Sequence, residues 1–458
     1  LCGSAYVTET GSLLGFHVAG NDLMGVSKIF SQSTIAAIHN AFKHEVPCLP
    51  ISDIPPIELE SKIMLNRSAY SHVNQDSQIT PSLIHGVFPI ERVPANLRAF
   101  GRDTVKVMSK KAHVPIADVD IQCLDFATNF MDAIVPPFTY ISEREVVNGN
   151  DLIGPINPKT SCGYGFNGTK KDFLDYDKGC FRPELSKRVT ALKQSLASDN
   201  YLFDTYHAEI LKDELRDVEK VNKPRCLKMA PLDLLCVERE LIGDLLANIH
   251  KRKFQNGIMV GINPFSPDWS TLLRKVVQFG DNVFDGDYGK WDGHMLSQFQ
   301  QQLNILIVTK SGYSGARKRQ LQQLLATMMY TPSVTLDDVY LTNHSMPTGR
   351  GCTAEYNSLL NKMYSAYVFA ALHREKYNKL PTPQFYTSNT YNAVYGDDNV
   401  TGCSELVKDW FNGKTFERIA NTIGLEYTPA DKGIWTYTTR SIFLCSFLKR
   451  GFRIHPKL

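Results

Sequence analysis

The chain has 458 residues, with 50 Lys and Arg against 47 Asp and Glu, for a formal net charge of +3. At about 150 residues per domain it has room for roughly three folding units, and 43% apolar with 21% charged residues excludes global disorder. The near-neutral balance excludes a polybasic, histone-like protein but leaves room for a local basic channel, and no run approaches the ~18 consecutive apolar residues of a membrane span.

The ten cysteines are scattered without a CxxC pair, which points to reduced, mostly buried thiols in a cytosolic setting. The chain opens on Leu1 rather than Met, without the charged start of a signal peptide, and stops at Leu458; it reads as a piece of something longer. In LCGSAYVTETGSLLGFHVAG, β-branched and apolar residues alternate around turn glycines, as in an all-β unit. Gln32 to Phe42 is helix-periodic, and Pro47, Pro50, Pro55 and Pro56 punctuate an extended linker. Between about 80 and 200, helical patterns (Ala117 to Ile134 is the clearest) mix with Gly/Pro-rich turns, and GPINPKTSCGYGFNG is an irregular loop. Farther on, the periodicity predicts helices over Leu232–Lys251, His294–Lys310, Thr353–Lys376 and Glu405–Ile423. It also predicts a strand at Val283–Tyr288, a hairpin at Asn392–Thr401 and strands between 434 and 448. Strands and helices mix without βαβ alternation, so the fold class is α+β.

Three segments carry candidate chemistry. YGDDN places Asp397 and Asp398 at a hairpin tip, where paired carboxylates can hold hard cations through oxygen; alone, it also reads as an ordinary Asp-rich turn. FDGDYGKWDGHM ends a strand at Asp287 and reaches Asp292 where a helix begins; Asp292 could equally be an N-cap and Asp287 a solvated strand end. If that strand lies beside the hairpin, Asp287 meets Asp397 and the pair can hold two Mg²⁺ ions about 3.5–4 Å apart. Between them, SMPTGRGCTAEYNSLLNK offers Gly349 and Gly351 in a loop able to approach a nucleotide backbone. Thr353 and Asn357 follow at i and i+4 on one helix face, a hydroxyl and an amide suited to a ribose 2′-OH; a Gly-rich loop with Thr as helix cap is the plainer alternative.

In this order, the strand-end Asp, the Gly loop feeding a Thr/Asn helix and the GDD hairpin resemble motifs A, B and C of viral RNA-dependent RNA polymerases, specifically those of picornavirus-like positive-strand RNA viruses. KDELRDVEKVNKPRCLK (212 to 228) resembles the basic motif F, although without the other motifs it would read as a mixed-charge solvated helix. The segment between Lys220 and Arg225 looks two residues shorter than the commonest form. TSCGYGF resembles motif G, LEYTPADKG motif D and FLKRGF the motif E turn that grips the primer; ITPSLIHG resembles the start of the fingers more loosely. From Lys432 to Leu458 there are six Lys/Arg and no Asp or Glu, which suits RNA phosphates.

The resemblance implies a right-hand polymerase: fingers over 79–280, a palm with inserted fingers segments over 281–445, and the start of a largely missing thumb over 446–458. It implies nucleotidyl transfer from NTPs to an RNA 3′ end with two Mg²⁺ (or Mn²⁺) ions on Asp287, Asp397 and Asp398. Lys432 would act on pyrophosphate as a general acid. Lys212, Lys220 and Arg225 would hold the triphosphate, with Asp292, Thr348, Gly349, Thr353 and Asn357 around the nucleotide; Asp292, Thr353 and Asn357 would select the ribose. Thr160, Ser161, Lys449 and Arg450 would contact RNA.

The opening residues 1–45 resemble the end of a chymotrypsin-like cysteine protease, with 46–78 as junction. By that resemblance Cys2 is the nucleophile, Gly3 helps form the oxyanion hole and His17 lines the specificity pocket, inactive here for want of the His base and acidic partner upstream. Glu60-Ser61 and Gln32-Ser33 are candidate cleavage junctions. Implied partners are template and primer RNA, NTPs, a viral protein primer and other replication proteins; the implied location is host cytoplasm, at membrane-associated replication complexes. Two rivals stand beside this reading: a reverse transcriptase, which usually carries a bulky steric gate where this chain has Asp292 and Asn357, and a catalytically silent single-stranded RNA-binding fragment.

Overall fold

A computed structural model describes residues 5–7, 13–20, 25–29, 92–99, 117–198, 201, 205–335, 338–342 and 344–454. The chain divides into two compact units, Leu1–Cys48 and Leu49–Leu458. In the first, β1 (Ala5–Val7), β2 (Leu13–Gly20) and β3 (Gly25–Ile29) form an antiparallel sheet in that order, with irregular register near Tyr6 and His17. Cys2, Gly3, the side chain of His17, the helix expected from Gln32, the junction, both candidate cleavage sites and ITPSLIHG lie outside the described residues.

The second unit begins its described core with α1 (Ile121–Ile134) and α2 (Pro183–Ala197). The predicted helix start at Ala117 moves to Ile121, because Asp120 takes the N-cap position and its side chain accepts from Cys123 N. Strands β4 (His207–Leu211) and β5 (Cys226–Met229) follow, then α3 (Leu232–Lys251), at its predicted bounds, and α4 (Pro267–Val276). After β6 (Asn282–Tyr288) come α5 (Ser297–Lys310) and α6 (Gly315–Met329), then β7 (Pro332–Thr335) and β8 (Asp338–Leu341). The long α7 (Thr353–Tyr377) leads to the hairpin β9 (Thr390–Tyr395) and β10 (Asp398–Cys403). The chain closes on α8 (Gly413–Thr422), β11 (Tyr427–Pro429) and the small hairpin β12 (Ser446–Phe447) and β13 (Arg450–Gly451).

Two four-stranded sheets organise this unit: β9-β10-β6-β11, antiparallel throughout, and β8-β7-β4-β5, in which β7 and β4 run parallel. The segment 212 to 228 is therefore a strand, a short turn and a second strand rather than the alternative solvated helix. The helix predicted from Glu405 begins only at Gly413. Asn412 caps it reciprocally with Thr415, and a Cβ at Gly413 would lie 2.0 Å from the Trp435 ring, so this end is fixed by packing. Most of 434 to 448, expected as strand, is irregular and carries a 3₁₀ turn at Ile442–Leu444.

Helix α7 is the central member, buried on almost every side, including Asn357, Ser358, Asn361, Lys362 and Ser365. Its outer end is tied to α1: Asp120 pairs with Arg374 at 2.7 Å, and Asp120 N donates to Tyr367 Oη. That guanidinium holds the Asp120 carboxyl down at about 2. Aromatic rings fill the space between α7, α8 and the β6 sheet. Phe284 meets Phe411 and Phe416, while Tyr288 meets Trp291, Tyr364 and Tyr427. Tyr427 fits only because residue 286 is glycine, where a Cβ would lie 2.1 Å from its ring. Fully buried rings of this size each contribute on the order of 1.5–3 kcal/mol. Cys123, Cys236, Cys352, Cys403 and Cys445 are buried free thiols, and burial pushes Cys123 and Cys403 up to about 12.

Among the described residues, Lys362 has no carboxylate partner. Its amine donates to Asn392 O at 2.7 Å and lines a cavity of about 170 Å³ with Phe130, Tyr386 and Tyr391, and burial pulls its pKa down to about 7. Because this folded value lies below the unfolded 10.5, the charged amine opposes folding. Stability falls as pH drops from about 10 to 7, by up to about 1.4 kcal/mol per unit from this group, and levels off below. Lys362→Met should raise the unfolding free energy at pH 7 and flatten that slope, as read by urea denaturation between pH 7 and 10. An unchanged slope would show that Lys362 is not the group responsible.

Candidate active site

The β9–β10 turn is a two-residue connection in which Tyr395 pairs with Asp398 and Gly396 takes φ +62°, the glycine-first geometry that matches strand twist. Helix α7 holds this turn by its backbone. Gly396 N donates to Ser358 Oγ at 2.8 Å, and Asn361 Nδ2 donates to Gly396 O at 3.0 Å and Asp397 O at 3.2 Å. Ser358 and Asn361 were not among the expected site residues, although Asn361 continues the Thr353, Asn357 spacing of i and i+4.

Strand β6 lies next to β10, so Asp287 and the Asp397–Asp398 pair enter one cleft from sequence positions 110 residues apart. Burial first, and then the negative charges of Asp287 and Asp292, raises the Asp397 carboxyl above its usual range. Burial, Asp397 and Asp287 raise Asp398 to about 6. Lys432, at φ +61° and largely exposed, places its ammonium 2.5 Å from Asp287 Oδ2. Among the described residues, no three His, Cys, Asp or Glu side chains stand close enough to hold a metal ion. The donor set is right for a hard cation, all carboxylate and mutually repelling, but Lys432 is the cation that Asp287 meets here.

On the nucleotide side, Asn357 is buried with its Oδ1 unpartnered among the described residues, and Thr353 Oγ1 donates to the Arg350 carbonyl at 2.9 Å. Asp292 is exposed in the 3₁₀ turn Trp291–Gly293, and its carbonyl accepts from Met346 N at 3.0 Å. It does not cap α5, which starts at Ser297 after Leu296. The two glycines expected to approach a nucleotide lie close against protein. A Cβ at Gly349 would lie 2.4 Å from Lys228 O, and one at Gly351 would lie 2.7 Å from Leu235. Gly349 N donates to Lys228 O, and Lys228 N donates to Thr348 Oγ1, stitching this loop to β5. Glu238 on α3 completes the attachment. It accepts from Arg350 Nε and Cys352 N, all of them buried, an anchor that sequence spacing did not reveal.

The basic residues divide. Arg225 forms a two-point pair with Glu214, which also takes Lys212 at 3.3 Å and Arg216 at 3.5 Å. The Arg225 hydrogen bond, and then Lys212, hold Glu214 at about 2. Arg225 also feels the charges of Asp292 and Asp397, so this cluster borders the carboxylate cleft. Lys220 instead sits on an exposed turn, paired with Asp217 at 3.0 Å. Thr160 and Ser161 are exposed on the loop whose Cys162 carbonyl accepts from Leu232 N at the start of α3. Lys449 and Arg450 are exposed at the β12–β13 turn, and Lys449 is near enough to Asp398 to offset part of its upward shift.

The sequence model of the family described as viral RNA-dependent RNA polymerase matches residues 61–457. Among curated relatives, the genome polyprotein of human hepatitis A virus genotype IIIB is 26% identical over 480 aligned residues, covering 99% of this chain and 20% of that protein. The replicase polyprotein of acute bee paralysis virus is 26% identical, covering 89% of this chain and 23% of that one. The chain thus spans about a fifth of the length of these relatives. Among solved structures, a Sicinivirus 3Dpol RNA dependent RNA polymerase superposes with a TM-score of 0.70 at 23% identity, over 84% of this chain and 80% of that one.

Asp398 titrates at about 6 when folded and near 3.8 when unfolded, so protonation favours the fold. Its contribution is fully present below pH 3.8 and lost as pH rises through 6. In chelator-treated protein, Asp398→Asn should melt higher than the unaltered chain at pH 7.5 and equally at pH 4, by calorimetry. A lower melting temperature at pH 7.5 would contradict the crowding of these carboxylates.

Proposed function

The chain belongs to the viral RNA-dependent RNA polymerase family, and from that membership we propose that it extends an RNA 3′ end on an RNA template using NTPs, with the reaction centred on Asp287, Asp397 and Asp398. The observation that carries this reading is that Asp287 on β6 and the Asp397–Asp398 pair on the adjoining hairpin come near enough for their charges, after burial, to raise the Asp397 and Asp398 carboxyls.

Asp287, Asp397 and Asp398 would hold two Mg²⁺ or Mn²⁺ ions, whose chemistry is to acidify the attacking 3′-hydroxyl and neutralise the phosphates. Asn357 Oδ1, buried without a partner, can accept a hydrogen bond from a ribose hydroxyl, at the cost of leaving that oxygen unmet with a deoxyribose. Thr353 on the same helix face and Asp292 across the cleft complete the ribose set. Arg225 and Lys212 would exchange Glu214 for the triphosphate, which offers more negative charge. Lys432, leaving Asp287, would carry its proton to the departing pyrophosphate. Lys449 and Arg450 would meet primer phosphates, and Thr160 and Ser161 the template.

For the first unit, the end of a cysteine protease is our reading of residues 1–45. It is supported by the antiparallel β1–β3 sheet and by an alignment to the hepatitis A virus polyprotein that covers 99% of the chain, where the polymerase match starts at residue 61. A protein primer and work at membrane-associated complexes in host cytoplasm belong to the same proposal; among the described residues no helix is long and apolar enough to cross a membrane.

Primer extension on an RNA template with Mg²⁺ or Mn²⁺ tests the reading. The chain should incorporate NTPs in preference to dNTPs, and Asp397→Asn should abolish incorporation while leaving the circular dichroism spectrum intact. Asn357→Ala should narrow the NTP preference by on the order of tenfold or more. A folded chain that binds RNA and never extends it would instead favour the silent scaffold.

A further inference from the structure

Asp285, two residues before Asp287 on β6, lies outside every motif-derived role and is fully buried. One of its oxygens accepts from Arg440 Nη2 at 2.7 Å and from Tyr437 Oη at 3.3 Å; the other accepts from Ser446 N at 2.8 Å. All three donors belong to the segment that delivers the β12–β13 hairpin. The same segment is fastened at Val283, which exchanges two backbone hydrogen bonds with Arg440, and at Asp281, whose carboxylate accepts from Ile442 N at 2.7 Å. On its other side, Phe447 and Phe452 stack on Trp269 at 6.2 and 5.0 Å between centroids.

The hairpin held at this root is strained at its tip. Its two-residue turn places Leu448 at φ +53° and Lys449 at φ +58°, left-handed at both positions, where glycine or asparagine would be at ease. Side chains such as these keep that conformation only when the surroundings impose it. The hairpin packs its Phe447 and Leu448 into the cluster that holds Val400 of β10, which keeps Lys449 within electrostatic reach of Asp398.

We propose that Asp285 is a positioning residue that fixes the β12–β13 hairpin, and with it Lys449 and Arg450, relative to the catalytic carboxylates, and so governs how tightly the RNA 3′ end is held rather than the chemistry of nucleotide addition. The proposal rests on the polymerase reading above. A carboxylate is required because it answers two neutral donors and a half-buried guanidinium at once. An amide in its place leaves Arg440 without a counter-charge.

Two measurements on the full chain separate this from a general structural role. Trypsin cleavage after Lys449 and Arg450, followed by mass spectrometry under native conditions, should be about tenfold faster in Asp285→Asn, because the hairpin opens locally. Steady-state primer extension should show the KM for primer–template raised about tenfold, with the KM for NTP unchanged. Asp285→Ala combined with Arg440→Leu leaves no unpaired buried charge, should fold even if the single variant does not, and should show the same two changes. Unchanged cleavage, or both KM values rising together, would overturn the proposal. If the unaltered chain extends no primer, the polymerase reading and the RNA half of this proposal fall together, while the trypsin rates still decide whether Asp285 holds the hairpin.

Discussion

Crowding like charges in a desolvated cleft is the constraint to which the rest of this structure responds. Asp287, Asp397 and Asp398 repel one another, and burial adds to the cost. Asp287 meets the Lys432 ammonium directly, whereas the turn that bears Asp397 is gripped by its backbone. Ser358 and Asn361 bind the peptide groups of Gly396 and Asp397. Tyr427, seated over Gly286, bonds Asn399 at 2.8 Å, one residue beyond Asp398. The deep burial of α7 follows from this task, because a helix that must hold a charged turn still has to be held itself. Asp120 and Arg374 anchor its far end.

The sequence made the fold class, the helices α3 and α7, the strand β6 and the GDD hairpin readable, because each is long or strongly patterned. It gave no access to short elements set by contacts between distant segments. The β8-β7-β4-β5 sheet is built of strands of four or five residues whose partners lie more than a hundred positions away at the β7–β4 pairing, and no local periodicity encodes that. The false start at Glu405 has the same origin: the apolar spacing is helical, but Asn412 and the Trp435 ring decide where α8 begins.

The expected site was legible where chemistry demands a residue type, and opaque where packing does. In DNVFDGDY the three aspartates look equivalent, yet Asp281 and Asp285 are anchors for a later segment and only Asp287 meets Lys432. Likewise Gly349 and Gly351 were readable as glycines that something must approach closely, while the neighbours they pack against, Lys228 and Leu235, were not. Glu238 and Arg440 were missed for a common reason: each acts by neutralising a charge brought from elsewhere in the chain, and spacing along the sequence carries no trace of that; Glu214 instead gathers Lys212, Arg216 and Arg225 from its own segment.

The stitching of the Gly349 loop to β5 has a dynamic consequence. A rigid-body swing of β5 away from α7 would break the Gly349–Lys228 and Thr348–Lys228 hydrogen bonds and uncover the buried Glu238–Arg350 pair, whose disruption costs on the order of 3–5 kcal/mol. The region therefore has no hinge there. The left-handed turns at Lys432 and at Leu448–Lys449 lie outside this stitched loop. The Gly349 side of the cleft is a fixed wall to which a substrate must fit.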